Sequence, residues 1–560
     1  MPIPGYIMKK NHLLFDCFWL TLILSFIFLY FGSDHSLLNP DESRYSEVAR
    51  EMLATGDFIT PRLNNIIFFD KPILYYWLQT ISIRWFGLNE WALRFFPTLF
   101  GIVGCLFTYI TGHSLFSRRV GIYSAAILAS SPLYYLASHY ANMDLEVAVM
   151  ITACLSCFIV AIQKNYQKQR GWLMYLAYFF SALAILTKGL IGIVFPTMII
   201  GLWILITGQW QIVKEMRLFR GFIIILLIIS PWFYLVQSAN PNFFHYFFTV
   251  QHIERFLSSD FNSQTPFWFY IPIISLGSFP WLFLFISSIL HYTKNILKNP
   301  NLLFLLIWFF LILVFFSLPK SKLVGYILPV FPALSLITGY YLTQNIQTLK
   351  KWSIRIIIIC NFFLIALLLA LALKYPLISG LPAPNPAILL SVILLILNLS
   401  ILVAYIRTNI ETTWHTVMFA ATIGILGLCL ILPKLPLPTN KPLIEKILAI
   451  KQPDDKLIGY FHYFYDLPIY SQQTITVVDN WDDANIGRKD NWRKLFLYGL
   501  GETHSHEQLI KPTTLWQQWN QGQRLFVFVR KAHVDYLRSN VQPVIVIAEL
   551  NNYAVVSNQN

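Results

Sequence analysis

The chain has 560 residues, of which 56% are hydrophobic and only 12% are charged, and its mean hydropathy is +0.57. Soluble domains carry about 25% charged residues, so a chain this apolar could not cover its own surface in water. The sequence therefore predicts a membrane protein. It has no P-loop, no Gly-x-Gly-x-x-Gly that opens a helix and no His-Glu-x-x-His, so nucleotide-driven pumping and zincin chemistry have no sequence support.

Apolar runs of about 20 residues are long enough to span a bilayer as helices. Thirteen runs approach this length, and they lie near 13–32, 91–112, 120–138, 144–163, 172–188, 190–207, 219–237, 266–290, 301–317, 323–344, 352–374, 385–406 and 415–433. The first run is too long for a cleaved signal and is interpreted as a retained span. The sequence thus predicts a polytopic α-helical membrane protein with about 13 spans.

Basic residues are concentrated in alternate connections between these runs, for example at Lys9 and Lys10 and at Arg118 and Arg119. The positive-inside rule makes those connections and the N-terminus cytoplasmic. The opposite connections and the C-terminal tail then face outward. Part of the net charge of +14 is therefore a topology signal, and nothing in it indicates nucleic acid.

The composition changes near residue 440 from apolar to mixed. Short β-rich runs at 474–478, 525–529 and 544–548 are separated by polar and helical segments, which is typical of a small α/β domain. We therefore predict a membrane domain over 1–437, including a first outer loop at 33–90 with amphipathic helices, and an outward-facing α/β domain over 438–560.

The first outer loop carries a helix signature. Asn39-Pro40-Asp41-Glu42 predicts an N-cap, a proline at the first helical position and an acidic first turn, and Gly56 predicts the end of the helix. Apolar residues recur on one face at helical spacing, while the opposite face is charged. The pattern predicts a helix that lies at the outer interface or packs on the bundle.

Asp70-Lys71-Pro72 predicts the start of a second helix, which runs through 73–86. Asp70 and Lys71 would then lie at a helix N-terminus, where the helix dipole and the lysine charge favour an anionic head group. An ordinary helix start with a snorkelling lysine is an equally good interpretation of Lys71 taken alone.

Other outward connections add acids and bases. Asp144 lies in a very short outward turn, where it could be a simple cap. Together with Asp41 it offers two carboxylates on one membrane face, which could stabilise an electron-poor anomeric carbon and orient a nucleophile. The cluster around His252 and Arg255 could bind a metal, a phosphate or only itself. Four basic residues oppose the charge bias, and this favours phosphate binding; they are Lys71, Arg255, Lys320 and Lys322.

Several motifs resemble those of the lipid A aminoarabinose transferase family, a branch of the GT-C glycosyltransferase superfamily. The matching strings, in order, are Asn39-Pro40-Asp41-Glu42-Ser43-Arg44-Tyr45, Arg50-Glu51-Met52, Phe69-Asp70-Lys71-Pro72, Tyr76-Trp77, Asn142-Met143-Asp144, Leu186-Thr187-Lys188-Gly189, His252-Ile253-Glu254-Arg255-Phe256, Lys320-Ser321-Lys322 and Tyr326-Ile327-Leu328-Pro329. The resemblance covers residues 10–340. The family usually has Glu where this chain has Asp70.

The resemblance implies an enzyme of the bacterial inner membrane with thirteen spans and a periplasmic C-terminal domain. Such enzymes transfer 4-amino-4-deoxy-L-arabinose or a related sugar from undecaprenyl phosphate to a phosphate of lipid A, with inversion, and they confer polymyxin resistance. No nucleotide is needed. The implied roles are catalytic for Asp41, Arg44 and Asp144, substrate-binding for Lys71, Arg255, Lys320, Lys322, Tyr326 and Lys188, and metal-binding, for zinc, for Asp70 and His252.

Two alternatives remain open at this point. The same type of donor could serve a protein O-glycosyltransferase or another envelope glycosyltransferase. A lipid or sugar transporter or flippase would need an internal repeat and ionisable residues near the bilayer midplane. The sequence has no convincing repeat, and its outward ionisable residues gather at one face, so a transferase is favoured.

Overall fold

The computed structural model describes residues 4–30, 35–254, 265–292, 297–347, 349, 352–374, 386–431, 437–483, 486, 491–500 and 507–559. Up to residue 239, the described part of the chain contains eleven α-helices and a short hairpin. In chain order these are α1 Pro4–Tyr30, α2 Asp41–Thr55, β1 Arg62–Leu63, β2 Ile66–Ile67, α3 Leu74–Phe86, α4 Glu90–Leu115, α5 Arg118–Ala129, α6 Pro132–Ser138, α7 Asp144–Ala161, α8 Arg170–Lys188, α9 Ile191–Thr207, α10 Gln211–Glu215 and α11 Leu218–Ala239.

The chain continues through a π-helical segment at His245–Glu254 and a 3₁₀ segment at Val324–Val330. The remaining helices and strands lie between these two segments or after the second one. They are α12 Tyr270–Gly277, α13 Leu282–Tyr292, α14 Pro300–Ser317, α15 Phe331–Asn345, α16 Trp352–Lys374, α17 Pro386–Arg407, α18 Ile410–Ile431, α19 Lys441–Leu448, β3 Lys456–Tyr460, α20 Asp466–Ser471, β4 Thr476–Val478, α21 Trp492–Leu500, β5 Leu509–Ile510, α22 Pro512–Trp519, β6 Leu525–Arg530, α23 Val534–Arg538, β7 Ile545–Leu550 and β8 Tyr553–Ser557.

The prediction of a polytopic helical membrane protein is confirmed. Each of the thirteen predicted runs contains helix. Within the described ranges, eight helices are long and apolar enough to cross a membrane, or ten if the two strongly bent pairs each count as one span. Shorter apolar helices lie at Leu13–Leu29, Ile191–Thr207 and Ser353–Ala366. The count of 13 spans therefore stays a prediction.

The chain divides into two compact units. The first unit comprises Met1–His35, Arg94–Phe233 and Ser263–Pro436. It contains most residues of the apolar helices that could cross a membrane, and the end of α11 after Phe233 belongs to the second unit. The second comprises Ser36–Leu93, Tyr234–Asn262 and Leu437–Asn560. The first loop thus groups with the C-terminal region, while the predicted domain boundary at residue 438 stays a prediction.

The second unit is built around a six-stranded sheet of order β5-β4-β3-β6-β8-β7. The strands β5, β4, β3 and β6 are parallel, and β8 pairs antiparallel with both β6 and β7. Near-continuous apolar runs such as Leu525–Arg530 suit a central strand that is covered on both faces. The predicted β-rich runs at 474–478, 525–529 and 544–548 all contain strand.

One titratable group in this sheet predicts a pH-dependent stability. His462 follows β3, where its ring stacks on Tyr553 and its Nδ1 lies 3.2 Å from an Arg530 nitrogen. Burial, together with Arg530 and His533, lowers the pKa of His462 from its usual 6.5 to about 4. Between these values the unfolded chain binds a proton that the folded chain does not, so the free energy of unfolding falls as pH drops from about 6.5 to about 4.

We expect His462→Gln to flatten the pH dependence in this window because glutamine does not titrate. The measurement is the thermal unfolding of the detergent-solubilised protein, followed by tryptophan fluorescence, at several pH values between 4 and 7. The same loss of stability on acidification in both proteins would show that other groups carry the effect.

Candidate functional site

Helix α2 is held by backbone contacts at its ends. Pro40 occupies the N-cap position without a side-chain cap, and Gly56 ends the helix in the left-handed region at φ 72°. The sequence-based prediction of Asn39 as N-cap is therefore wrong. The Asn39 amide instead donates to the carboxylate of Asp466 at 2.6 Å, because a charged acceptor forms the stronger hydrogen bond.

The charged face of α2 is buried. Glu47 is completely buried, and Arg50 pairs with it through two hydrogen bonds of 2.7 Å. Glu51 accepts from the backbone N–H of Asn65 at 3.0 Å. Burial raises the pKa of Glu47 to about 8, although Arg50 opposes this shift. The helix is thus packed on both faces, which the amphipathic pattern alone could not distinguish from an interfacial helix.

Asp41 and Arg44 form an ion pair one turn apart at the start of α2. The Arg44 Nη2 lies 2.5 Å from Asp41 Oδ1, and the side chains are 18% and 25% exposed for Arg44 and Asp41. The guanidinium also lies over the rings of Tyr45, at 4.8 Å, and Tyr465, at 5.8 Å. Burial opposes the arginine charge, but these rings and the carboxylates of Asp41 and Asp70 keep the pKa of Arg44 well above its usual value. A charged, oriented guanidinium beside a carboxylate suits an anionic substrate.

Several buried polar atoms in and near this pair have no hydrogen-bond partner among the described residues, and two of them lie on aromatic or charged side chains. These two are the Arg44 Nε and the hydroxyl of Tyr76, a tyrosine that is completely buried. The Tyr76 ring packs against Tyr45 and Tyr75. Sequence reasoning included Tyr76 only within a matched string and gave it no role.

Asp70 and Lys71 lie before α3, not within its first turn. The helix begins at Leu74 with Ile73 as N-cap, one residue after the predicted start at residue 73. Asp70 is 9% exposed, and hydrogen bonds to its carboxylate from the side chains of Tyr246 (3.0 Å) and Gln251 (2.9 Å) hold it outside the helix. Lys71 Nζ donates to the Asp70 backbone carbonyl at 3.0 Å.

Asp70 borders a cavity of about 760 Å³ in the second unit. Three stretches of chain line it, at 67–70, at 239–250 and at 495–500. Its polar lining residues are Asp70, Asn240, Asn242, His245, Tyr246 and Tyr498. Aromatic rings, amides and a carboxylate form a lining that suits a polar, ring-shaped ligand such as a sugar.

The metal prediction rests on Asp70 and His252. Within the described ranges, no group of three His, Cys, Asp or Glu side chains lies close enough together to hold a metal ion. His252 falls in the π-helical segment, and its side chain lies outside the described residues. Zinc therefore stays a prediction. Arg255 also lies outside the described residues.

A second cluster belongs to the membrane unit. Asp144 begins α7, Lys188 ends α8, and the lysine ammonium forms an ion pair with the Asp144 carboxylate. Lys188 Nζ lies 4.3 Å from the centroid of the Tyr326 ring. Gly325 packs so closely on Asp144 that a Cβ at this position would overlap the carboxylate. Three separate stretches thus enclose one buried pair, in which the side chains are 9% exposed for Lys188 and 13% for Asp144.

Lys320 and Lys322 flank a short backbone pairing with Thr265. The Thr265 N–H and hydroxyl both donate to the Lys320 carbonyl at 3.1 Å. The Lys320 side chain is exposed, whereas Lys322 is buried and donates to the Thr265 carbonyl at 3.1 Å. Burial lowers the pKa of Lys322. The substrate-binding role of both lysines stays a prediction.

Sequence reasoning missed the contacts that join the first loop to the C-terminal region. Asn39 and Asp466 are 427 positions apart, and Arg44 and Tyr465 are similarly distant. No local pattern marks such a pair. The ion pair of Asp144 and Lys188 was easier to anticipate from the sequence, because both residues were predicted at ends of spans and both belonged to matched strings.

Comparison with known proteins places these observations in a family. A family profile described as dolichyl-phosphate-mannose-protein mannosyltransferase matches residues 70–235. The chain is 33% identical over 328 residues to the undecaprenyl phosphate-alpha-4-amino-4-deoxy-L-arabinose arabinosyl transferase of Yersinia enterocolitica, covering 58% of this chain and 59% of the relative. It is 32% identical over 374 residues to the corresponding transferase 2 of Proteus mirabilis, covering 66% of each chain. The chain thus spans less than two thirds of the length of these relatives.

A solved structure has a similar fold. The crystal structure of ArnT from Cupriavidus metallidurans bound to undecaprenyl phosphate superposes with a TM-score of 0.81 at 24% identity, covering 98% of both chains. The fold is thus that of a GT-C membrane protein. The sequence matches identify the particular branch: the chain belongs to the lipid A aminoarabinose transferase family. The resemblance predicted from the motifs is confirmed.

The buried pair of Asp144 and Lys188 predicts a strong energetic coupling. We expect Asp144→Asn or Lys188→Met alone to lower the free energy of unfolding by about 3 kcal/mol, because each leaves a buried charge without its partner. The double variant should lose less than the sum of the two single losses. Thermal unfolding in detergent measures all three.

The exposed pair of Asp535 and Arg538 serves as the matched control. Its double-mutant cycle should show no measurable coupling, because water screens exposed charges. Additive losses at Asp144 and Lys188 would contradict the interpretation of a coupled buried pair.

Proposed function

We propose that this protein transfers 4-amino-4-deoxy-L-arabinose, or a related sugar, from undecaprenyl phosphate to a phosphate of lipid A, with inversion at the anomeric carbon. The protein acts in the bacterial inner membrane, with its N-terminus in the cytoplasm and its C-terminal region in the periplasm. Family membership and the basic residues in alternate connections support this assignment.

The observation that carries the proposal is the ion pair of Asp41 and Arg44 at the start of α2. Both residues lie in the longest matched string of the first loop. The Arg44 Nε and the hydroxyl of nearby Tyr76 have no hydrogen-bond partner among the described residues. A partly exposed carboxylate beside a fixed guanidinium supplies the two charges that glycosyl transfer between phosphates requires.

The reaction breaks the bond between the anomeric carbon and the carrier phosphate oxygen. The bonding electrons leave with undecaprenyl phosphate, while an oxygen of the acceptor phosphate attacks the opposite face of the sugar and forms the new bond. Charge on the leaving phosphate rises in the transition state. Lys71 and Arg255 are the cations assigned to this phosphate. Their attraction grows with its charge, so they stabilise the transition state more than the ground state.

Asp41 has a role that depends on the acceptor. A lipid A phosphate is already anionic, so Asp41 orients the reactants and balances the positive charge that develops on the sugar. A hydroxyl acceptor would instead require Asp41 as general base. Arg44 holds the Asp41 carboxylate in one orientation through their 2.5 Å contact.

The remaining candidates complete this assignment. Lys320, Lys322 and Tyr326 contribute to substrate binding, and Lys188 acts through its pair with Asp144. Asp70 and His252 are the candidate zinc ligands. The cavity beside Asp70, with its amides and aromatic rings, supports binding of a sugar in the same unit.

Transfer of labelled sugar from undecaprenyl phosphate in detergent tests the acceptor. We expect product with lipid A and none with dephosphorylated lipid A or with a Ser/Thr peptide. Product on the peptide alone would indicate a protein O-glycosyltransferase. Carrier movement across vesicles without any transfer would indicate a flippase, and either result would overturn the proposal.

Two substitutions test the mechanism. We expect Asp41→Asn to lower kcat by about 100-fold or more, and Lys71→Ala by about 100- to 1000-fold, because each removes charge stabilisation at the reacting centre. Asp57→Asn in the same loop and the exposed Lys446→Ala are the matched controls and should keep near-normal turnover. Near-normal turnover in either test variant would remove that residue from the mechanism.

A further inference from the structure

The parallel strands of the second unit all end at the same edge of the sheet. The chain runs from β3 outward through β4 to β5 and then crosses back to β6 on the other side of β3. The order therefore reverses between β3 and β6. In open α/β sheets, ligands bind beside the carboxyl ends of the strands at such a point. Residues 461–465 leave β3 at this edge and lead into α20.

The first residue of α20, Asp466, is a buried hydrogen-bond acceptor. It is 0% exposed, and its carboxylate accepts from Asn39 Nδ2 at 2.6 Å, from the Asn440 backbone N–H at 2.5 Å and from Asn440 Nδ2 at 3.0 Å. These donors come from two stretches of chain, one in the first loop and one before α19. Only an acceptor with two oxygens satisfies them all.

The neighbours of Asp466 hold the same loop at further points. The Tyr470 hydroxyl accepts from the Leu37 N–H at 2.9 Å. The Tyr465 ring faces the Arg44 guanidinium, and the Gln472 carbonyl accepts from Arg50 at 3.3 Å. The loop residues 37–50 thus receive contacts from α20 and its flanks along their length. The first loop thus packs on the helix that follows the carboxyl end of β3.

Asn39 lies two residues before Asp41, so its anchoring sets the position of the catalytic pair. The Asn39 backbone N–H is also fixed, by the Pro438 carbonyl at 2.9 Å. We propose that Asp466 is a positioning residue that holds Asp41 and Arg44 in their reactive geometry, and that the C-terminal region serves the transfer reaction in this way. The inference rests on the proposed function.

The carboxylate is needed because its surroundings are donors. An amide at position 466 offers one acceptor oxygen and an N–H₂ group in place of two acceptor oxygens, so at least one of the three contacts must be lost or rearranged. Displacements of about 1 Å at a catalytic group lower rates by up to about 100-fold. The effect should fall on kcat, since Asp466 is completely buried and, within the described ranges, none of its hydrogen bonds is made with a residue assigned to the carrier phosphate.

The test compares two isosteric changes within one unit. We expect Asp466→Asn to lower kcat by about 10- to 100-fold with the KM for the carrier-linked donor within about threefold. Asp455→Asn is the matched control, because Asp455 is also buried and paired, with Arg524 at 2.6 Å, but makes no contact with the first loop among the described residues. Asn39→Ala, which leaves Asp466 bonded to Asn440, provides a second variant should Asp466→Asn fold poorly.

Hydrogen exchange adds a readout that does not depend on activity. Amides of residues 37–50 should exchange faster in Asp466→Asn than in the wild type or in Asp455→Asn. The double variant Asn39→Asp/Asp466→Asn should recover part of kcat, because the new carboxylate accepts from the new amide.

Three outcomes would overturn the positioning role: unchanged kcat in both Asp466→Asn and Asn39→Ala, an equal loss in Asp455→Asn, or unchanged exchange over 37–50. A wild-type protein that transfers no sugar overturns the proposed function instead. The exchange data then decide separately whether Asp466 holds the loop.

Discussion

A charged side chain removed from water must find its counter-charge inside the protein, and the organisation of this chain depends on that constraint. On α2 the pairs Asp41 with Arg44 and Glu47 with Arg50 are both formed within one helical turn. The side chains of Asp41 and Arg44 are partly exposed to solvent, whereas those of Glu47 and Arg50 are more deeply buried. The same helix therefore carries the pair that we propose as reactive and a second, more deeply buried pair, and the two differ in exposure.

The membrane unit satisfies the constraint across helices. Asp16 on α1 accepts from Arg118 at the start of α5, and Asp144 at the start of α7 pairs with Lys188 at the end of α8. Each of these pairs joins two different helices of the membrane unit. The close packing of Gly325 on Asp144 shows how little space remains around the second pair.

Much of the fold was predictable because lipid imposes a one-dimensional pattern: a spanning helix must be a continuous apolar run, and each of the thirteen runs contains helix. The matched motifs named Asp41, Arg44, Lys71 and Asp144 as candidates, and their catalytic and binding roles stay predictions. Helix starts were less predictable. Asn39 looked like a cap because its local sequence favours one, but a carboxylate 427 positions away attracts its amide. A single sequence carries no signal for a partner at that distance.

The second unit is assembled from three stretches of chain that are far apart in sequence. Residues 36–93 leave the ribosome roughly 340 residues before Leu437, which at about 5 to 20 residues per second corresponds to an interval of about 20 to 70 s. Throughout that interval α2 lacks the acceptors at Asp466, Tyr470 and Gln472. The order of synthesis thus delays the completion of the surroundings of Asp41 and Arg44 until residues 465–472 have been made, and a nascent chain that stops earlier carries the loop without these contacts.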